Sequence, residues 1–270
     1  MNLKEKTALV TGASRGIGRA IAHRLAQQGC QRILLLARNR DRLCQVAEEL
    51  GQWGVEGVVL AVDLADPIQV NVVIAQAWQQ YGPVHLLVNC AGVAHQTPFL
   101  QARLPQVQAE ISTNLVGLYT VTRLVGRRMA VRREGCIVNV SSLMGKVAAP
   151  TMATYSATKF AILGFTQALR TELAPYQVRV VALLPSLTDT DMVRGFDWFR
   201  WVQPVSPEQV AEALVTGLWQ GRREILVGWQ SHGAVWLQRL FPWLVEALVQ
   251  QASPGVKAAV PYSLQQRISS

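Results

Sequence analysis

Two periodicities alternate along this chain. Short apolar or β-branched runs, Thr7 to Val10, Arg32 to Ala37, Val58 to Val62, Val84 to Val88, Cys136 to Val140, Val178 to Leu184 and Glu224 to Val227, have the length and composition of buried strands. Between them apolar residues recur every three or four positions, as at Ile17, Ala20, Ile21, Leu25 and Ala26, which predicts amphipathic helices. Punctuation agrees: Gly29 closes the first helix, Asp66-Pro67 opens another, and Ser206-Pro207-Glu208 opens one running to about Trp219. A long apolar helix is predicted from Val107 to Met129. Strands that are apolar on both faces and alternate with helices require crossover connections. The expected fold class is therefore α/β, a doubly wound parallel sheet of about seven strands in three layers.

Length and composition narrow this picture. With 270 residues, half of them hydrophobic, the chain can bury a full core, and no Ser/Gly/Pro-rich linker divides it. We expect one domain over 1–230, with an apolar helical extension and a polar tail over 231–270. The net charge of +9 is scattered, and Arg127, Arg128, Arg132 and Arg133 read as one solvated helix face, so no nucleic-acid partner is expected. An anionic cofactor explains part of the excess. Cys30, Cys44, Cys90 and Cys136 lack metal-ligand or CxxC spacing and read as core residues in a reducing compartment; no metal is expected. The N-terminus leads directly into a strand, so no signal peptide and a cytoplasmic location are expected.

The candidate chemistry begins at Thr11-Gly12-Ala13-Ser14-Arg15-Gly16-Ile17-Gly18, between a strand and a helix. Glycines there permit a tight turn and close approach to a pyrophosphate, which the amides and dipole of the helix N-terminus stabilise. The second strand ends at Arg38, where an acidic residue would suit the free ribose hydroxyl of NAD. Arg38 together with Arg15 suits the 2′-phosphate of NADP(H) instead. Asp63 and Leu64, ending the third strand, can contact adenine.

Tyr155 and Lys159 lie four apart on a predicted helix and project from one face. Such pairs are commonly solvated surface neighbours. A neighbouring ammonium also lowers a phenol's pKa, so the two together can act as general acid and base. Ser142 follows a buried strand, at the carboxyl end where α/β sheets bind ligands. Asn114, an amide within an apolar helix, is either a structural bridge or part of a proton path.

These motifs, in this order across residues 7 to 228, resemble the short-chain dehydrogenase/reductase family of single-domain type: TGxxxGxG at 11–18, Asn89-Cys90-Ala91-Gly92, Asn114, Ser142, Tyr155-xxx-Lys159, and Pro185 to Met192. The resemblance implies a Rossmann-type fold with strand order 3-2-1-4-5-6-7 and hydride transfer at a nicotinamide. It implies that Tyr155 donates or removes the proton, that Lys159 lowers its pKa and holds the nicotinamide ribose, that Ser142 polarises the carbonyl, and that Asn114 holds a water. It places Gly12, Ser14, Arg15, Gly16, Ile17, Gly18, Arg38, Asp63, Leu64, Asn89, Ala91, Gly92, Tyr155, Lys159, Pro185, Thr188 and Thr190 around the cofactor. It also implies homodimers or homotetramers through the helices bearing Asn114 and Tyr155. One departure is Ser186, where the family usually has glycine.

The stretch 193–201 reads as an aromatic lid carrying Phe196 and Trp198 over a mainly apolar substrate. Arg194 and Arg200 either meet an anionic tail or are solvated. Residues 235–249 are too short and broken to span a bilayer. They can pack on a core or a second subunit, wall a greasy pocket, or contact a membrane surface. The expected activity is NADP(H)-dependent reduction of an apolar ketone or aldehyde, or oxidation of the alcohol; the alternatives are a 3-oxoacyl thioester reductase and a non-catalytic NADP-binding regulator.

Overall fold

A computed structural model describes residues 2–197 and 199–253. Trp198 and the polar tail from Ala258 to Ser270 therefore lie outside the described residues.

Seven parallel strands, β1 (Thr7–Thr11), β2 (Arg32–Ala37), β3 (Glu56–Ala61), β4 (Leu86–Asn89), β5 (Gly135–Val140), β6 (Val178–Leu184) and β7 (Glu224–Leu226), form one sheet in the order β3-β2-β1-β4-β5-β6-β7. This is the order expected from the resemblance. Helices α1 (Gly16–Gln27), α2 (Arg40–Gly51) and α7 (Pro207–Trp219) cover one face; α3 (Pro67–Tyr81), α5 (Leu118–Arg132) and α6 (Ala153–Leu173) cover the other. Side-chain alternation divides the core accordingly: Ala8 and Val10 of β1 join the first layer, while Leu9 joins the second. Burial of both faces is why the strands read as unbroken apolar runs.

The predicted Val107–Met129 helix is corrected in one respect. It is three pieces: α4 (Leu104–Glu110), a π-helical segment (Ile111–Gly117) containing Asn114, and α5. The apolar repeat does not mark this interruption, because tertiary contacts hold it. Gly117 passes so close to Leu64 that an added Cβ would lie 2.8 Å from the Leu64 carbonyl oxygen.

The expected single stretch 235–249 is likewise divided, into α8 (Trp229–Leu240) and α9 (Pro242–Ala252), with Pro242 at the first turn of the second. Their outward faces expose Trp236, Leu240, Trp243 and Leu248. No helix among the described residues is long and apolar enough to cross a membrane.

Candidate active site

The carboxyl ends of β1, β2 and β4 open into a cavity of about 340 Å³. Gly12 sits at its floor with φ +70°, and a Cβ there would fall 2.8 Å from the Ala91 backbone, so only glycine lets β1 and β4 converge. The Thr11 hydroxyl fastens the two strand ends by accepting from the amides of Cys90 (3.0 Å) and Ala91 (3.1 Å). The N-terminus of α1 has no side-chain cap, leaving its amides free for an anion. At the far end stand Arg15, Arg38 and Arg42. Asp191 meets Arg15 at 3.5 Å and Arg42 at 3.7 Å, while Asp63 lies 3.9 Å from Arg38. Three arginines share two aspartates here, and a rim with this excess of positive charge beside an open helix N-terminus fits a dinucleotide carrying an additional phosphate.

A second cavity of about 220 Å³ adjoins the first, sharing Ile17, Cys90, Gly92, Thr190 and Met192 with it. Ser142, Tyr155 and Lys159 line it, and most of its remaining wall is apolar. The Ser142 hydroxyl stands beside the Tyr155 phenol and accepts from the Met144 amide at 3.1 Å. Lys159, 4% exposed, donates to the Val140 carbonyl at 3.1 Å, and its Nζ stands 5.4 Å from the Tyr155 ring centre.

Burial pushes the Tyr155 phenol up to about 12, with the Ser142 hydroxyl opposing the shift, and burial pushes the Lys159 ammonium down to about 8. The ammonium faces the ring and a backbone carbonyl. A protonated phenol at neutral pH is the form that can donate to a carbonyl oxygen.

A family model for short chain dehydrogenase matches residues 6–198. The chain is 35% identical over 187 residues to the 3-oxoacyl-(acyl-carrier-protein) reductase FabG of Staphylococcus aureus, covering 69% of this chain and 76% of that protein. A short chain dehydrogenase from Burkholderia cenocepacia, solved with NADP, superposes with a TM-score of 0.81 at 28% identity, covering 94% of this chain and all of the other. A 3-ketoacyl-(acyl-carrier-protein) reductase from Brucella melitensis, complexed with NADH, gives 0.74 at 29% identity over 80% of this chain and 91% of that one. The chain belongs to the short-chain dehydrogenase family. It is an oxidoreductase.

Within this short-chain dehydrogenase, Ser14, Gly16, Gly18, Asp63, Leu64 and Ala91 line the first cavity with the residues already named. Pro185 and Thr188 line the second, and Thr190 lines both. Asn89 does neither. It is buried at 2% exposure, and its amide donates to Thr122 Oγ1 and Asn139 Oδ1, both at 2.8 Å. Its side chain is a bridge between β4, β5 and α5.

The Asn114 side chain ties the π-helical segment to the loop after β4 and to α6. Its Oδ1 accepts from the Val93 amide at 2.8 Å, and its Nδ2 donates to the Val93 carbonyl and to Thr158 Oγ1. Both amide hydrogens are spent, leaving a lone pair of Oδ1 as the side chain's remaining capacity for a water. Ser186 is accommodated without a positive φ, and its buried hydroxyl has no hydrogen-bond partner. Burial pushes the Cys90 thiol up to about 12, which gives it no thiolate character at neutral pH.

Of the expected lid, Val193, Phe196 and Phe199 line the second cavity, whereas Arg194, Arg200 and Trp201 do not. Arg194 is instead paired with Asp191 at 2.9 Å. Val249, the last residue of 235–249, and Ala252 beyond it, both on α9, complete the wall. Sequence reasoning missed Arg42, whose signal was available in its place on the first turn after Arg38. It also missed Met144, Met152 and Leu187, which have no signal beyond being apolar.

Proposed function

We propose that this oxidoreductase uses NADP(H) to reduce an apolar ketone or aldehyde, or to oxidise the matching alcohol, with Tyr155 as general acid/base. The observation that carries this reading is the adjacency of an arginine-rimmed cavity and an apolar one, with Ser142, Tyr155 and Lys159 on the wall of the latter. The amides of Ser14, Gly16 and Ile17 would hold the pyrophosphate, and Arg15, Arg38 and Arg42 the 2′-phosphate. Asp63 and Leu64 suit adenine. Ala91, Gly92 and Lys159 suit the nicotinamide ribose, while Pro185, Thr188 and Thr190 suit the carboxamide end. When bound, the nicotinamide supplies or accepts the hydride.

The protein's own work is proton placement and orientation. Ser142 hydrogen-bonds the carbonyl oxygen, and Tyr155 gives it a proton in reduction or takes it back in oxidation. Apolar walls keep water from the reacting carbon.

The FabG relatives favour a second reading, reduction of a 3-oxoacyl thioester. Assembly as a dimer or tetramer is supported by exposed Val116 and Tyr119 near Asn114. A membrane contact through 235–249 rests on the exposed Trp236, Leu240, Phe241, Trp243 and Leu248, and vesicle co-sedimentation tests it.

The deciding experiment is oxidation of NADPH and NADH with a panel of ketones, aldehydes and 3-oxoacyl thioesters, with Tyr155→Phe alongside. We expect NADPH-preferring turnover that falls by about 10²-fold or more in the variant, with NADPH affinity little changed. Equal turnover by Tyr155→Phe would overturn the mechanism.

A further inference from the structure

Residues 90–98 follow β4 as an irregular stretch, yet every second residue of its middle is fastened to a neighbouring element. The Val93 amide donates to Asn114 Oδ1 at 2.8 Å, and the Val93 carbonyl accepts from Asn114 Nδ2 at 2.9 Å. The His95 amide donates to the buried Glu110 carboxylate at 2.6 Å, and the Thr97 amide to the Thr151 carbonyl at 2.7 Å. Side chains of an extended chain alternate in the same rhythm. The intervening Ala94 and Gln96 line the catalytic cavity. Gln96 is thus held between two fixed neighbours.

The lid is fastened far more sparsely. Its start is held by Asp191 against Arg15 and Arg42, and at its end the Arg200 amide donates to the Ala252 carbonyl at 2.8 Å. Among the described residues of 192–199, the hydrogen bonds that reach more than a few positions along the chain both belong to Asp197. Gln96 Nε2 donates to the Asp197 carbonyl at 2.9 Å, and the Asp197 amide donates to Gln96 Oε1 at 2.7 Å. One side-chain amide therefore satisfies both backbone groups of one lid residue, as a paired strand would. The contribution of this stretch to the cavity wall is otherwise apolar, through Val193, Phe196 and Phe199.

We propose that Gln96 is the positioning residue of the lid: its amide clasps the Asp197 backbone and so sets the adjacent Phe196 into the wall over the substrate. What Gln96 recognises is main chain, so the exposed Asp197 side chain is immaterial, whereas the reach and the amide of residue 96 are not. Gln96 acts through Phe196 and not on the reacting carbonyl. Its loss leaves the apolar wall open on one side, which weakens substrate binding more than the chemical step. The effect on turnover rests on the carbonyl-reductase reading above; the clasp does not.

Gln96→Met keeps the length of the side chain and removes its amide, and Gln96→Ala serves if the first variant melts abnormally. The first readout needs no substrate. Arg194, its side chain 81% exposed, is a trypsin site within the lid. At low protease, cleavage there follows the open fraction, and loss of two hydrogen bonds should speed it about tenfold at an unchanged melting temperature. In the second readout, NADPH oxidation with 2-octanone, KM should rise about tenfold with kcat little changed. Phe196→Ala should raise KM likewise, and adding Gln96→Met to it should cost nothing further, because the two act through one ring. Parent-like cleavage or a parent-like KM in Gln96→Met overturns the proposal, since packing alone would then suffice. Additive losses in the double variant overturn it too. Faster cleavage of Gln96→Met in a protein that reduces no ketone would instead keep the clasp and remove the ketone-reductase reading.

Discussion

Lys159 stands beneath the ring of Tyr155, 5.4 Å from its centre, and spends a hydrogen bond on the Val140 carbonyl instead of meeting the phenol oxygen. Its charged form is therefore costly to bury. Folding lowers its pKa from 10.5 to about 8, so the cost is fully present below about 8 and is relieved as pH rises towards 10.5. Lys159→Met should melt higher than the parent at pH 7, by about 1–3 kcal/mol, and the gain should vanish by pH 10.5. A gain that does not vary with pH would show that burial of the charge is not its source. The same variant should lose turnover.

Arg42 shares Asp191 with Arg15 across the cavity end, and Arg38 stands opposite. Charge-assisted contacts to a phosphate contribute about 1.5–3 kcal/mol each. Arg38→Ala and Arg42→Ala should each raise the Kd for NADPH by about 10- to 100-fold and barely alter that for NADH, as read by isothermal titration. Equal losses for both coenzymes would show that these side chains do not bind the distinguishing phosphate.

Asn89 belongs to a buried polar chain that continues from Asn139 to Thr166, where the Asn139 amide donates at 2.9 Å. Asn89→Ala strips the acceptors Thr122 and Asn139 of a donor. Urea unfolding should report a loss of about 2–4 kcal/mol, with coenzyme affinity per folded molecule unchanged. A selective loss of coenzyme affinity at full stability would return Asn89 to the binding site.

Ser186 carries a buried hydroxyl without a partner. Ser186→Ala removes that unmet group and leaves the backbone alone, so stability should hold or rise by up to about 1 kcal/mol with coenzyme binding intact. A marked loss on thermal melting would mean that the hydroxyl is hydrogen-bonded in solution.

What the sequence made legible was what recurs in short periods. The strands, the glycine loop and the Tyr155 and Lys159 spacing all have local signatures, whereas the strand order came from the family resemblance; β6 matches its expected bounds residue for residue. The π-helical segment was hidden because its cause is distant: Gly117 against Leu64 and Asn114 against Val93 are contacts between segments far apart in the chain. The placement of Lys159 under the ring was hidden for a different reason. A four-residue spacing puts two side chains on one face but does not say which atoms meet. The outer cavity wall was only partly legible, since Val249 and Ala252 are two ordinary apolar residues within an apolar helix.

The π-helical segment makes residue number, as distinct from residue identity, part of the design. One residue more than an α-helix needs sits between α4 and α5, and each residue turns a helix by about 100°. Deleting a single residue from 111–117 would let the two helices fuse into one regular rod with their faces nearly in phase, because the wider turn is what absorbs the extra residue. What would be lost is the local widening that sets Gly117 against Leu64 and Asn114 against Val93, with every residue of α4 and α5 unaltered. A gap of one position here thus removes girth from a helix rather than chemistry from a side chain.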